Sequence, residues 1–82
     1  MAKRPVPKKL AKKLRQIRLR AGLSQTEIVA ALKYKASPLY PSQISKFEHG
    51  LREPSLMLLL AYARLGKVPV EALIDDKQDL EY

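Results

Sequence analysis

Residues 22–50 read GLSQTEIVAALKYKASPLYPSQISKFEHG, and the order of signals in this stretch decides the fold. Gly22 supplies a left-handed stop for a preceding helix, with Leu23 folding back on its last turn. Ser24 and Glu27 form a reciprocal cap in which hydroxyl and carboxylate satisfy each other's backbone donors. Ile28, Ala31 and Leu32 then give the new helix an inward face. Residues 33–40 break it, because Ser37-Pro38 and Tyr40-Pro41 both disfavour helix before the proline. Pro41 suits the first position of a third helix, where a missing N–H is harmless. Ser42 is the alternative cap and would start that helix later. Ile44 and Phe47 point inward, and Gly50 ends the element.

Upstream, Leu10, Leu14, Ile17 and Ala21 recur at helical spacing, one apolar stripe on a helix that begins at Lys8. Lys8, Lys9, Lys12, Lys13, Arg15 and Arg20 fill its other faces. Residues 1–7, with two prolines and two cations, read as a flexible basic arm. Downstream, Ser55 caps a fourth helix whose core stripe is Leu56, Leu59, Leu60 and Ala63 and whose stop is Gly66. Met57 and Leu58 face away from that stripe. Residues 69–74 make a short fifth helix, and residues 75–82 an acidic polar tail. No segment alternates with the period of a strand. The expected product is a single all-α domain over residues 8–74.

Eighty-two residues allow one modest core and no second domain. Cysteine is absent, which removes a disulfide framework, a thiolate metal site and a Cys nucleophile. No signal peptide is evident, and the longest apolar run, residues 56–63, is too short to span a bilayer. The net charge is +8 and unevenly spread: residues 1–66 hold fourteen Lys/Arg against three Glu, residues 67–82 two Lys against five acids. A basic body with an acidic tail points to a polyanionic partner, with nucleic acid first among candidates. Two short helices in this order, on a basic chain, suit placement of one helix in the major groove of DNA.

The pattern resembles the lambda-repressor-like (Cro-like, XRE-type) helix-turn-helix family. The matching residues are Leu14-Arg15, Ile17-Arg18, Gly22-Leu23-Ser24-Gln25, Ile28, Leu32, Ile44-Ser45, Phe47-Glu48, Gly50, Pro54-Ser55-Leu56, Leu59-Leu60, Val68 and Leu73. The resemblance implies a compact five-helix fold with a recognition helix at about 41–49. It places Gln25 on a phosphate, Pro41, Ser42, Gln43 and Lys46 toward base edges, and Arg18 with Glu48 as an internal ion pair. The chain departs from the family in its longer break between the second and third helices. It departs again at Pro41, which cannot hydrogen-bond a base, so readout is expected to move to Gln43 and Lys46, or partly into the turn through Lys35, Ser37 and Tyr40.

Expected base contacts are therefore Ser42, Gln43 and Lys46; Gln suits adenine and Lys suits guanine. Expected phosphate contacts are Gln25, Lys35, Tyr40, His49, Lys3 and Arg4. Gln25 sits at a helix N-terminus, where free N–H groups attract anions. For Lys3 and Arg4 a solvated arm and an arm tracking DNA stand as equal readings, whereas Lys8–Lys13 are expected to form a solvated face. His49 is the single histidine, without companions for a metal site. No catalytic constellation, cofactor motif or metal set is present, so an enzyme is not expected.

The implied function is a sequence-specific, double-stranded DNA-binding transcriptional regulator of prokaryotic or phage type, acting as a repressor by occupying promoter DNA. It would work in the cytoplasm at the nucleoid, as a homodimer at least on DNA, with Met57 and Leu58 as an apolar surplus to bury. Two alternatives stand beside it. One is an antitoxin-type autoregulator whose residues 75–82 dock on a toxin; the other is a helical protein-interaction module without DNA readout.

Overall fold

The stripe Leu10, Leu14 and Ile17 becomes the buried side of α1, Leu10–Arg20, in the computed structural model, which describes residues 7–80. The helix starts two residues after Lys8, and Ala21 caps its end in an exposed position instead of extending the stripe. Gly22 takes φ +73°, and the N–H groups of Gly22 and Leu23 return to the carbonyls of Leu19 and Arg18. That left-handed residue turns the chain into α2, Gln25–Ala31, where Ser24 Oγ accepts from Glu27 N–H at 3.0 Å and Glu27 Oε1 accepts from Ser24 N–H at 2.9 Å. The long turn is not an added turn of helix: Lys33, at φ 53°, stops α2. Tyr34 and Leu39 pack against the core, and the Tyr34 hydroxyl meets Ser55 Oγ at 3.2 Å, tying the turn to the start of the fourth helix.

α3, Pro41–Glu48, begins with proline at its first position and extended Tyr40 as its cap residue, so Ser42 lies inside the helix and does not cap it. α4, Leu56–Gly66, is capped by Ser55 Oγ accepting from Leu58 N–H. Its buried side is Leu58, Leu59, Tyr62 and Ala63, while Leu56 and Met57 are 73% and 60% exposed. This rotates the helix away from the expected stripe: Leu58 is core and Leu56 is surface. The segment is apolar nearly all round, so periodicity does not fix its rotation; full burial of the large Tyr62 ring does. Its stop also differs from expectation. Gly66 remains helical, and Lys67 takes the left-handed conformation at φ 56°, letting Val68 N–H reach Ala63 O while Val68 packs on the core. α5, Val70–Ile74, buries Ala72 and Leu73.

α1 is the central element, packed on α3, α4 and α5, while α2 packs on α3 and α4 on α5. No strand occurs among the described residues. Lys13 corrects the expected solvated face of α1: it is 2% exposed, with Nζ donating to Ala72 O at 2.6 Å and Asp75 O at 2.9 Å. An ammonium there meets the carbonyls that end α5, where the helix dipole favours positive charge.

The opposite exchange occurs at the start of α1, which has no acid in its first turn and no side-chain cap of its own. The Asp76 carboxylate accepts from the N–H groups of Lys8 and Lys9 at 2.9 and 3.0 Å, and Lys9 Nζ lies 3.4 Å from Asp79. Residues 75–80 therefore fold back on α1, with Leu80 against the core.

Backbone donors hold Asp76, Asp75 and Glu27 below their ordinary carboxylate pKa values, through Lys8 and Lys9, Lys77, and Ser24 respectively. A depressed folded pKa stabilises the protein above the unfolded value of about 4 and loses that contribution as pH falls through the folded one. The thermal midpoint is thus expected to drop on acidification from about pH 5 toward pH 2. Asp76→Asn should melt lower at neutral pH and show a shallower drop, read by circular dichroism across that range.

Candidate nucleic-acid interface

α3 is held by its apolar side and offers the other. Ile44 and Phe47 are buried, and Ser42, Lys46 and His49 are exposed opposite them, as three- and four-residue spacing on a helix requires. Gly50, at φ +71°, closes the helix with Leu51 N–H returning to Lys46 O. His49 Nδ1 lies 2.7 Å from Ser45 O. A carbonyl can only accept, so Nδ1 donates to it.

Gln43 sits differently from Lys46. It is half-buried, and its Oε1 accepts from Tyr40 N–H at 2.8 Å. Tyr40 makes no side-chain cap, and Gln43 reaches back to supply an acceptor instead. Tyr40 itself is 58% exposed beside the start of α3. Lys35 is exposed in the turn. Lys3 and Arg4 lie outside the described residues.

Beneath α3, Arg18 donates through Nε to Glu48 Oε2 at 2.7 Å and through Nη2 to Oε1 at 3.0 Å, while Nη1 donates to Leu23 O at 3.0 Å. Their side chains are 12% and 3% exposed. The two-pronged pair joins α1 to the last turn of α3, and its third donor fixes the turn that leads into α2. The hydrogen bond to Glu48 raises the guanidinium pKa further, against the opposing effect of burial.

Gln25 is half-buried, with Nε2 3.5 Å from Glu48 Oε1. Arg15, Arg18, Gln25, Glu48 and His49 line one shallow depression where α1, α2 and α3 meet. The structure thus gathers Gln25, Arg18, Glu48 and His49, and leaves Ser42 and Lys46 farther along α3 and Lys35 apart in the turn. Arg15 is the member that sequence reasoning left among undifferentiated cations. Its signal was its place three residues before Arg18, hence on the same side of α1.

Among the described residues, no cluster of His, Cys, Asp and Glu is placed to hold a metal, and no helix is long and apolar enough to cross a membrane.

The sequence profile of the helix-turn-helix domain matches residues 9–75, from the cap of α1 to the end of α5. The chain belongs to this family. That membership agrees with the lambda-repressor-like resemblance carried by Arg18, Gly22-Leu23-Ser24-Gln25, Ile44 and Phe47. No curated protein matches the chain significantly. Within the matched residues, α2 and α3 are joined by the turn over residues 33–40.

Proposed function

We propose that this helix-turn-helix protein binds double-stranded DNA in a sequence-specific manner and regulates transcription, acting as a repressor by occupying promoter DNA. The observation that carries the reading is α3 itself, with Ser42 and Lys46 exposed and the helix fixed from below by the Arg18–Glu48 pair. A recognition helix needs both, since base readout depends on rigid presentation of a few side chains. Ser42, Gln43 and Lys46 face base edges, and Gln25 and His49 hold phosphates to either side, with Tyr40 and Lys35 contributing from the turn and Lys3 and Arg4 from the arm. Phosphate contacts set register without reading sequence.

Two copies bind together on a symmetric site, their recognition helices about 34–36 Å apart. The exposed Leu56 and Met57 on α4 supply apolar surface for that pairing. The antitoxin reading is weaker, because Asp76 and Asp79 already engage the start of α1.

Selection from a random duplex library, followed by titration of the winner at several salt concentrations, tests the proposal. A consensus should emerge, and log affinity should fall linearly with log salt, with a slope of about 0.9 per phosphate neutralised. Gln25→Ala should weaken all duplexes alike, by roughly fivefold for one lost hydrogen bond of about 1 kcal/mol. A library that yields no consensus would sink the proposal.

A further inference from the structure

We infer that α3 selects guanine, because the side chains it offers to a base edge are hydrogen-bond donors and its single amide oxygen is occupied as a helix cap. The inference rests on the DNA-binding reading above and adds to it the base that is read. Pairing of a glutamine with adenine uses both ends of the amide, oxygen to N6–H and nitrogen to N7. Gln43 has only one end available. Its oxygen accepts from Tyr40 N–H at 2.8 Å, and only the oxygen can do so, which fixes the amide orientation chemically. The remaining Nε2 donates.

Lys46, one turn later and fully on the exposed side, also donates and cannot accept. The strong acceptor in the helix, Glu48, is turned inward, held by both prongs of Arg18 and 3% exposed. Ser42 and, beside the helix start, Tyr40 are the outward groups near the N-terminus able to accept, and a hydroxyl donates equally well. Guanine presents two acceptors, O6 and N7, in the major groove, whereas adenine and cytosine each present an amino donor there. Donors on the protein therefore favour guanine, with Lys46 as the principal specificity residue and Gln43 Nε2 as the second.

The experiment uses the full chain and the duplex enriched from the random library. The half-site should contain a G·C pair whose exchange for A·T weakens binding by roughly tenfold or more. Inosine at that guanine keeps O6 and N7 and should bind within about twofold, while 7-deazaguanine, lacking N7, should bind weakly. Lys46→Ala should erase the preference for that guanine. Gln43→Glu retains an acceptor for Tyr40 N–H and should melt with the wild type, whereas Gln43→Ala should melt several degrees lower, about the effect of losing one cap.

An enriched adenine whose preference vanishes in Gln43→Glu would overturn the inference, because the amide would then be reading both edges. Equal melting of the Ala and Glu variants would overturn it as well, because the oxygen would not be capping. An enriched site indifferent to guanine removes this inference alone; a library with no consensus removes the DNA reading and the inference with it.

Discussion

Glu48→Ala is expected to lower the unfolding free energy by about 3–5 kcal/mol, the usual cost of stranding one member of a buried ion pair. The carboxylate is 3% exposed and receives two hydrogen bonds from Arg18. Without it the guanidinium, 12% exposed, keeps only the carbonyl of Leu23 as a protein acceptor. The Tyr62 hydroxyl, buried without a hydrogen-bond partner among the described residues, supplies no replacement charge: burial first, then the Glu48 charge, pushes its pKa above the ordinary value and keeps it neutral.

Small domains are stable by about 5–15 kcal/mol in total, and 1 kcal/mol shifts the midpoint of one this size by about 4–8 °C. A drop of more than about 12 °C is therefore expected in a thermal melt. The double variant Arg18→Met with Glu48→Leu should recover most of that loss, since apolar replacements often match a buried pair. It should not recover sequence discrimination in full, because the pair also fixes the angle between α1 and α3. A single-variant loss below about 1 kcal/mol would mean that the pair is solvated, as surface pairs are.

Features governed by neighbouring residues were legible in the sequence, and those governed by distant ones were not. The Ser24–Glu27 cap, the Ser55 cap and the left-handed Gly22 depend on residues within a turn of each other, and all form as the sequence indicates. α4 shows the opposite. Residues 56–60 read LMLLL, a run that gives no preferred side, and its rotation follows from the burial of Tyr62 beside the Arg18–Glu48 pair.

The stop at Lys67 instead of Gly66 follows from the pull of Val68 onto the core, a tertiary demand that overrides the residue preference for glycine. In the candidate site, the Arg18–Glu48 partnership came from family resemblance, since thirty residues separate them. The Gln43 cap was within reach of local reasoning, as glutamine at the third helical position commonly returns to the cap residue's N–H. It was obscured because Tyr40 carries no short hydroxyl or carboxylate to announce the motif.

Lys13 is the clearest failure of composition-based reading, and its substitution carries the second large effect. Lys13→Met is one atom shorter and keeps most of the apolar stem but removes the ammonium that donates to both Ala72 O and Asp75 O. A buried carbonyl left without its donor costs about 1–3 kcal/mol. The bond to Ala72 O is fully buried and that to Asp75 O only partly so, which puts most of the cost on the first and the expected total near 3 kcal/mol.

Urea unfolding should show a lower midpoint with an unchanged slope, the signature of lost stability without a change in the surface exposed. Local effects should accompany it. Amide exchange should accelerate first in α5 and at Asp75, and then at Lys8 and Lys9, whose N–H groups depend on Asp76 being held beside them. Lys13→Arg tests whether charge alone suffices: the larger, planar guanidinium must fit a 2%-exposed site built for a single ammonium, so it should rescue only in part. A loss under about 1 kcal/mol in Lys13→Met would show that water reaches both carbonyls, and that the basic face of α1 is as solvated there as its composition suggests.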